Sequence, residues 1–210
     1  IREGADIFFS DEVGQCYTTG KAVHCEIALK NSLFKVEEVS PFIKENISTI
    51  LTATQQLYKM GLIKWEEEHI QRGIEMVKNN TYFIGRWEVL SDSPKIIADS
   101  AHNEAGLRLA LDKIASMHFE QLHLVIGFVK DKSLDKILKM FPRNAHYYFV
   151  KADVPRGLNA KSLKSLGIEK GLRGRSYKSV TYGLNAAKRN ASPDDLIYIG
   201  GSIFVISEIL

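Results

Sequence analysis

The chain has 210 residues, 45% of them apolar and 25% charged, and its 28 Lys and Arg nearly balance 25 Asp and Glu. That length suits about one to two domains, and a net charge of only +3 argues against a broad nucleic-acid or membrane surface. No run of about 18 consecutive apolar residues occurs, which excludes a transmembrane-helix reading. The start, Ile1-Arg2-Glu3-Gly4, carries neither Met nor a signal-peptide pattern. Cys16 and Cys25 have no metal-type spacing. A reduced, cytoplasmic protein is therefore expected, with no membrane and no nucleic acid among its partners.

The first part of the chain reads as short strands at Ala5–Ser10, Val23–Leu29 and Leu33–Val39, where apolar and β-branched residues lie between polar breaks. The period then changes. Ser40-Pro41 is a helix start, Ser as N-cap and Pro at the first helical position. Ile43, Ile47, Ile50, Leu51, Thr54, Leu57 and Tyr58 follow at helical spacing, and Gly61 stops the run. A second helix is predicted from about Glu66 to Lys78, with an acidic first turn that suits the helix dipole. Asn79-Asn80-Thr81 reads as a linker, so the domain boundary is expected near Asn80, dividing the chain into 1–80 and 81–210.

Beyond the linker, strand and helix alternate. Strands are predicted at Trp87–Leu90, Lys95–Asp99, Leu122–Phe128, His146–Lys151, Tyr177–Thr181 and Leu196–Ile199. Helices are predicted at Glu104–Met117, Ser133–Met140, Ala160–Leu166, Gly183–Asn190 and from Phe204 onward. This alternation implies an α/β fold: a Rossmann-like, mostly parallel sheet with helices on both faces.

Ligands in such sheets bind at the carboxyl ends of the strands, so the residues just after each strand carry the chemistry. Asp99-Ser100-Ala101-His102-Asn103 crowds polar groups into one strand-to-helix turn, where a helix N-terminus offers N–H groups to an anion. The alternative is plain capping by Asn103 with His102 on the surface. Gly85-Arg86-Trp87, at the end of the linker, can bring a guanidinium fork to a phosphate, or simply leave a solvated arginine. Asn46 falls within the apolar stripe, where its amide needs a partner, either a ligand or neighbouring backbone. Gly200-Gly201-Ser202 follows the last strand; its glycines permit close backbone approach, and Ser202 either meets a ligand or caps the next helix. Asp131-Lys132 and Pro155-Arg156 are weaker candidates for the same crevice. Lys170–Lys178 reads as a solvated basic face, and His24 and His123, within apolar strands, as structural.

No G-x-x-x-x-G-K-[ST] phosphate loop and no G-x-G-x-x-G fingerprint is present, and no HExxH or cysteine cluster indicates zinc. Taken in order, the motifs resemble the carboxy-terminal domain of the Mur ligase superfamily, and within it the folylpolyglutamate and dihydrofolate synthases. Gly85-Arg86 stands thirteen residues before Asp99-x-x-His102-Asn103, in a turn that in those synthases reads Asp-Gly-Ala-His-Asn, with Ser100 here in place of the glycine. Gly127-Phe128-Val129-Lys130-Asp131-Lys132, Pro155-Arg156 and Gly201-Ser202-Ile203-Phe204 resemble later family motifs, and Lys44-Glu45-Asn46 resembles the end of the central ATPase domain.

The resemblance implies an ATP-dependent ligase that joins L-glutamate to dihydropteroate or folate through an acyl phosphate. It implies ATP contacts at Asn46, Arg86 and Asp99, and glutamate-side catalytic roles for His102 and Ser202. It implies Mg2+ as a cofactor, with its ligands and the phosphate loop upstream of Ile1, so that 1–80 would be the carboxy-terminal part of the central ATP-binding domain. Such a fragment is expected to be inactive alone, and its parent to act as a monomer whose linker at Asn79–Gly85 hinges the domains. A Mur-type peptidoglycan-precursor ligase and a non-catalytic α/β binding module are the alternatives.

Overall fold

The structure, a computed structural model, describes residues 8–10, 14–19, 22–27, 29–37, 43–82, 84–130 and 134–210. The chain divides into two compact units, Ile1–Phe83 and Ile84–Leu210.

In the first unit, β1 (Gly14–Thr19), β2 (Ala22–Ile27) and β3 (Ser32–Glu37) form an antiparallel sheet in that order. β2 alternates, burying Val23, Cys25 and Ile27, and these pack with Phe34 and Val36 of β3. The first strand went unpredicted because it is an edge strand with little buried surface and no alternating apolar pattern. Its register places Cys16 directly opposite Cys25, and the two form a disulfide with Cα atoms 4.1 Å apart. This corrects the expectation of two reduced thiols: the pairing comes from antiparallel register, which brings cross-strand residues to about that distance.

α1 (Ile43–Lys59) closes the sheet with Ile47 and Leu51, both wholly buried. Gly61 ends its last turn at φ +72°, where Leu62 N–H donates to the Leu57 carbonyl. The predicted second helix is two: α2 (Glu67–Glu75) and α3 (Val77–Thr81), parted at Met76. The stretch at Asn79–Thr81, expected to be a linker, is thus helical. Phe8 and Phe9 lie outside any strand, and Ser40-Pro41 falls outside the described residues.

The second unit holds β4 (Glu88–Asp92), β5 (Lys95–Ala98), β6 (Leu122–Ile126), β7 (His146–Phe149), β8 (Gly174–Ser176) and β9 (Leu196–Gly200). Their order across the sheet is β4-β5-β9-β6-β7-β8, parallel except for β4. Period two sorts the side chains. Ile97, Leu196 and Tyr198 face one core, with α4 (Glu104–Ala115), α5 (Leu134–Met140) and α6 (Ala160–Glu169). Ile96, Ala98, Ile197 and Ile199 face the other, with α7 (Val180–Asn190) and α8 (Ile203–Ile206). Helices thus cover both faces, as the strand–helix alternation implies.

One predicted strand is misplaced. Tyr177–Thr181 is not extended throughout: β8 ends at Ser176, and Ser179 caps α7 by accepting the Tyr182 N–H. The β-branched Val180 and Thr181 that suggested a strand form the first turn of that helix instead. Among the described residues no helix is long and apolar enough to cross a membrane.

Candidate functional site

Adjacent parallel strands whose following helices leave to opposite faces open a crevice at their carboxyl ends. β5 and β9 are such a pair, since α4 packs on one face and α8 on the other. The crevice is therefore bordered by the Asp99–Asn103 turn and the Gly200–Ser202 turn. Two backbone bonds keep the strand ends together there: Asp99 N–H donates to Ile199 O, and Gly127 N–H to Gly200 O.

Asp99 is wholly buried and turned inward. One carboxylate oxygen accepts the Ala101 N–H and the other the Trp87 N–H, each at 2.8 Å. Ser100 N–H donates to Gly85 O. The carboxylate thus straps the Gly85-Arg86-Trp87 turn onto the start of α4. That turn needs the strap, because Gly85 and Trp87 both lie at positive φ, +88° and +50°, and for a bulky residue this backbone is unfavourable. Trp87 is held further by the core and by the Lys113 ammonium 4.7 Å over its ring. Between them Arg86 is exposed. Burial pushes the Asp99 carboxyl above its ordinary value, opposed by the two amides and by the charges of Arg86 and Lys113.

The polar pentapeptide divides its work. Asn103 caps α4, accepting the Gly106 N–H at 2.8 Å. His102 is exposed, and its Nδ1 lies 3.0 Å from the Ser100 carbonyl. A carbonyl only accepts, so Nδ1 carries the proton, and Nε2 is the acceptor nitrogen of the neutral ring. A capping asparagine and an exposed histidine therefore coexist in one turn.

On the other border, Ser202 is buried and its hydroxyl accepts the Phe204 N–H at 3.3 Å, capping α8. Gly201 lies at φ +93°, where a Cβ would also come within 2.6 Å of Gly127 O. Gly200 has a different reason to be glycine: a Cβ there would meet the Tyr198 ring at 2.7 Å. The space it leaves is filled from within the chain.

Asn46 does not lie on the buried stripe. The inner face of α1 is Ile47, Leu51, Thr52 and Gln55, and Asn46 is exposed beside Ile50. One residue is a 100° step around a helix, enough to move an amide from core to solvent, so no internal partner is demanded of it. Arg156 is exposed and stacks 4.7 Å over the Phe204 ring. Asp131 and Lys132 fall outside the described residues. Among the described residues no group of three or more His, Cys, Asp or Glu is placed to hold a metal.

Trp87 stands in the Gly85-Arg86-Trp87 candidate turn, but the sequence assigns it no role, and it gives no sign of Tyr198. The signal for Trp87 was available, an aromatic after Gly-Arg ahead of a strand, but its bond to Asp99 spans 12 residues and leaves no local pattern.

Comparison with known proteins accords with this layout. Residues 85–203 match the Mur ligase, glutamate ligase domain. A probable bifunctional folylpolyglutamate synthase/dihydropteroate synthase of Haloferax volcanii is 30% identical over 146 residues, covering 68% of this chain and 17% of that protein. A dihydrofolate synthase/folylpolyglutamate synthase of Buchnera aphidicola from Schizaphis graminum is 28% identical over 129 residues, covering 60% of this chain and 30% of that one. The fold is that of Escherichia coli FolC in complex with DHPP and ADP, with a TM-score of 0.74 over 94% of this chain and 45% of FolC, at 22% identity. The chain spans less than half the length of each of these proteins. With more than half of its residues inside the match, the chain belongs to the Mur ligase family and carries that family's glutamate ligase domain.

Proposed function

We propose that the chain is the carboxy-terminal portion of an ATP-dependent ligase that adds L-glutamate to dihydropteroate or folate through an acyl phosphate. The observation that carries this is the strap: a buried carboxylate holds an exposed arginine against a helix start, at the crevice of a glutamate ligase domain. Relatives named as folylpolyglutamate and dihydrofolate synthases, and the ADP in the FolC complex, support the substrate class.

Bound ATP supplies the phosphoryl group that activates the substrate carboxylate. Arg86 neutralises phosphate charge with its planar fork. Asp99, with no exposed surface, acts by positioning: it fixes the Arg86 turn rather than presenting its own oxygens. Asn46, open on α1, offers an amide to the adenine. His102 faces the incoming glutamate, and its Nε2 takes a hydrogen bond or proton from the attacking amine. Ser202 sets the start of α8, whose turn borders the amino-acid side. Residues 1–80 are the carboxy-terminal part of the central ATP-binding domain in this proposal. Magnesium belongs to the reaction, but no set of side chains described here fits it, so no ligand is assigned. The enzyme acts as a cytoplasmic monomer on small molecules.

The test is turnover by the intact protein. ADP and phosphate release should require both L-glutamate and dihydropteroate or folate. Release that instead depends on a peptidoglycan precursor would replace the substrate assignment. Residues 1–210 alone should show no turnover, and turnover by them would overturn the fragment reading.

A further inference from the structure

Tyr198 lies in the middle of β9, wholly buried among the largest core side chains. Its neighbours on the strand, Leu196, Ile197 and Ile199, are aliphatic, and an aliphatic residue here would fill the sheet face without burying a hydroxyl. The hydroxyl makes no hydrogen bond of normal geometry, an expensive state for a group removed from water. Its direction is set by Gly200. Residues i and i+2 share a strand face, and a Cβ at Gly200 would lie 2.8 Å from the hydroxyl. Through that gap the hydroxyl reaches the carboxyl end of the sheet, where the β5–β9 register, with Ile97 opposite Tyr198 and Ala98 opposite Ile199, brings Asp99 beside Gly200 on the same face, and the Asp99 carboxylate acts on the hydroxyl. Asp99 has room for another donor, since among the described residues each oxygen accepts one backbone amide and can accept two bonds.

We propose that Tyr198 is a positioning residue for Asp99: its hydroxyl is the third donor to that carboxylate, beside the amides of Trp87 and Ala101. The bond holds the strap in the ligand-free protein and resists its displacement when a ligand loads the Arg86 turn. The charged groups acting on Asp99 are Arg86 and Lys113, so the hydroxyl adds a neutral donor where two cations already favour the ionised carboxylate. The role in ligand binding rests on the function proposed above; the bond itself does not.

Tyr198→Phe in the intact protein removes only the hydroxyl and keeps the ring beside Trp87, at 6.5 Å between centroids. If the hydroxyl is a donor to an ionised carboxylate, Tyr198→Phe lowers Tm by about 2–4 °C near neutral pH, and the gap closes in acid as Asp99 is protonated. A Tm raised equally at every pH shows a trapped hydroxyl and overturns the proposal, whatever the activity. In kinetics the KM for ATP should rise about 3–10-fold with kcat changed by less than about 2-fold. The acid limb of kcat/KM should move to higher pH, because the carboxylate loses a donor that favours its charged form. A superimposable pH profile overturns the positioning role. Asp99→Asn separates the two readings: if its KM for ATP stays at the wild-type value, the functional reading of the strap fails, while the Tm gap of Tyr198→Phe still decides the bond.

Discussion

Two buried carboxylates sit at opposite ends of the second unit's sheet and are tied in the same way. Asp99, at the carboxyl end, gives one oxygen to the Trp87 amide and one to the Ala101 amide. Asp195, at the amino end, gives one to Gln121 and one to Ser192. The difference lies in the third neighbour. Asp195 also meets His123 Nε2 at 3.2 Å, whose Nδ1 pairs with the Tyr148 hydroxyl, which in turn accepts from Asn190. Burial pushes the Asp195 carboxyl up, but the Ser192 amide and His123 outweigh it and hold the group below its ordinary value. At Asp99 burial wins. The amino end is a closed network that pins loops; the carboxyl end keeps unused acceptor capacity and holds an exposed arginine. A doubly capped buried carboxylate is thus a strap, and its function depends on what the strapped turn carries.

The sharpest break between the two ends is in catalysis. If the intact protein is the proposed ligase, Arg86→Ala should lower its kcat/KM for ATP by roughly 100- to 1,000-fold, the scale of losing one group aimed at developing charge. Asp99→Ala should fall nearly as far, because the turn at Trp87 relaxes from its positive φ. Asp195→Ala should stay within about 3-fold of the wild type, measured at a temperature where the variant remains folded. Equal losses at Asp99 and Asp195 would erase the distinction.

Stability should reverse the order. Asp195→Ala leaves two backbone amides and a buried imidazole without their acceptor, which costs about 2–4 kcal/mol. Chemical denaturation of the wild type and the variant measures it. Gly200→Ala comes next, at about 1–3 kcal/mol from overpacking, since its methyl would enter the Tyr198 ring at 2.7 Å. Measured in a Tyr198→Val background, Gly200→Ala should cost much less than it does in the wild type. If Gly200→Ala is equally harmful with Val at 198, the glycine answers to the backbone or a ligand instead.

How far these features could be read from sequence follows their range. The β5–α4–β6 alternation, the Asn103 cap and the Ser202 turn are local, and all were legible. Asn46 was misplaced because Ile50, taken as core, is exposed, and with it the inferred face of α1 rotates. Tyr177–Thr181 misled because β-branched residues also begin helices when a capping serine precedes them. The long-range pairs left no trace: Asp195 and His123 are 72 residues apart, and the inward turn of Asp99 depends on Trp87. The Cys16–Cys25 bond depends on the register of a strand with no apolar pattern. His123 was read as structural from its apolar surroundings, and its buried bonds to Tyr148 and Asp195 accord with that.

The smallest expected effect tests the amino end by titration. His123 is 1% exposed, and burial lowers its pKa below the ordinary imidazole value; Asp195 opposes that shift and His146 adds to it. An unfolded imidazole ionises near about 6.5. Between the folded and unfolded values the unfolded chain binds the extra proton, so stability rises with pH across that window. The contribution is whole above the unfolded value and is lost as pH falls toward and through the folded one. One proton limits the slope to about 1.4 kcal/mol per pH unit. His123→Gln keeps polar atoms on both partners and should flatten that part of the stability–pH curve. An unchanged slope would mean that the ring binds protons alike in the folded and unfolded chain, Asp195 offsetting burial, whereas a wild-type slope of the opposite sign would mean that Asp195 keeps the folded ring charged.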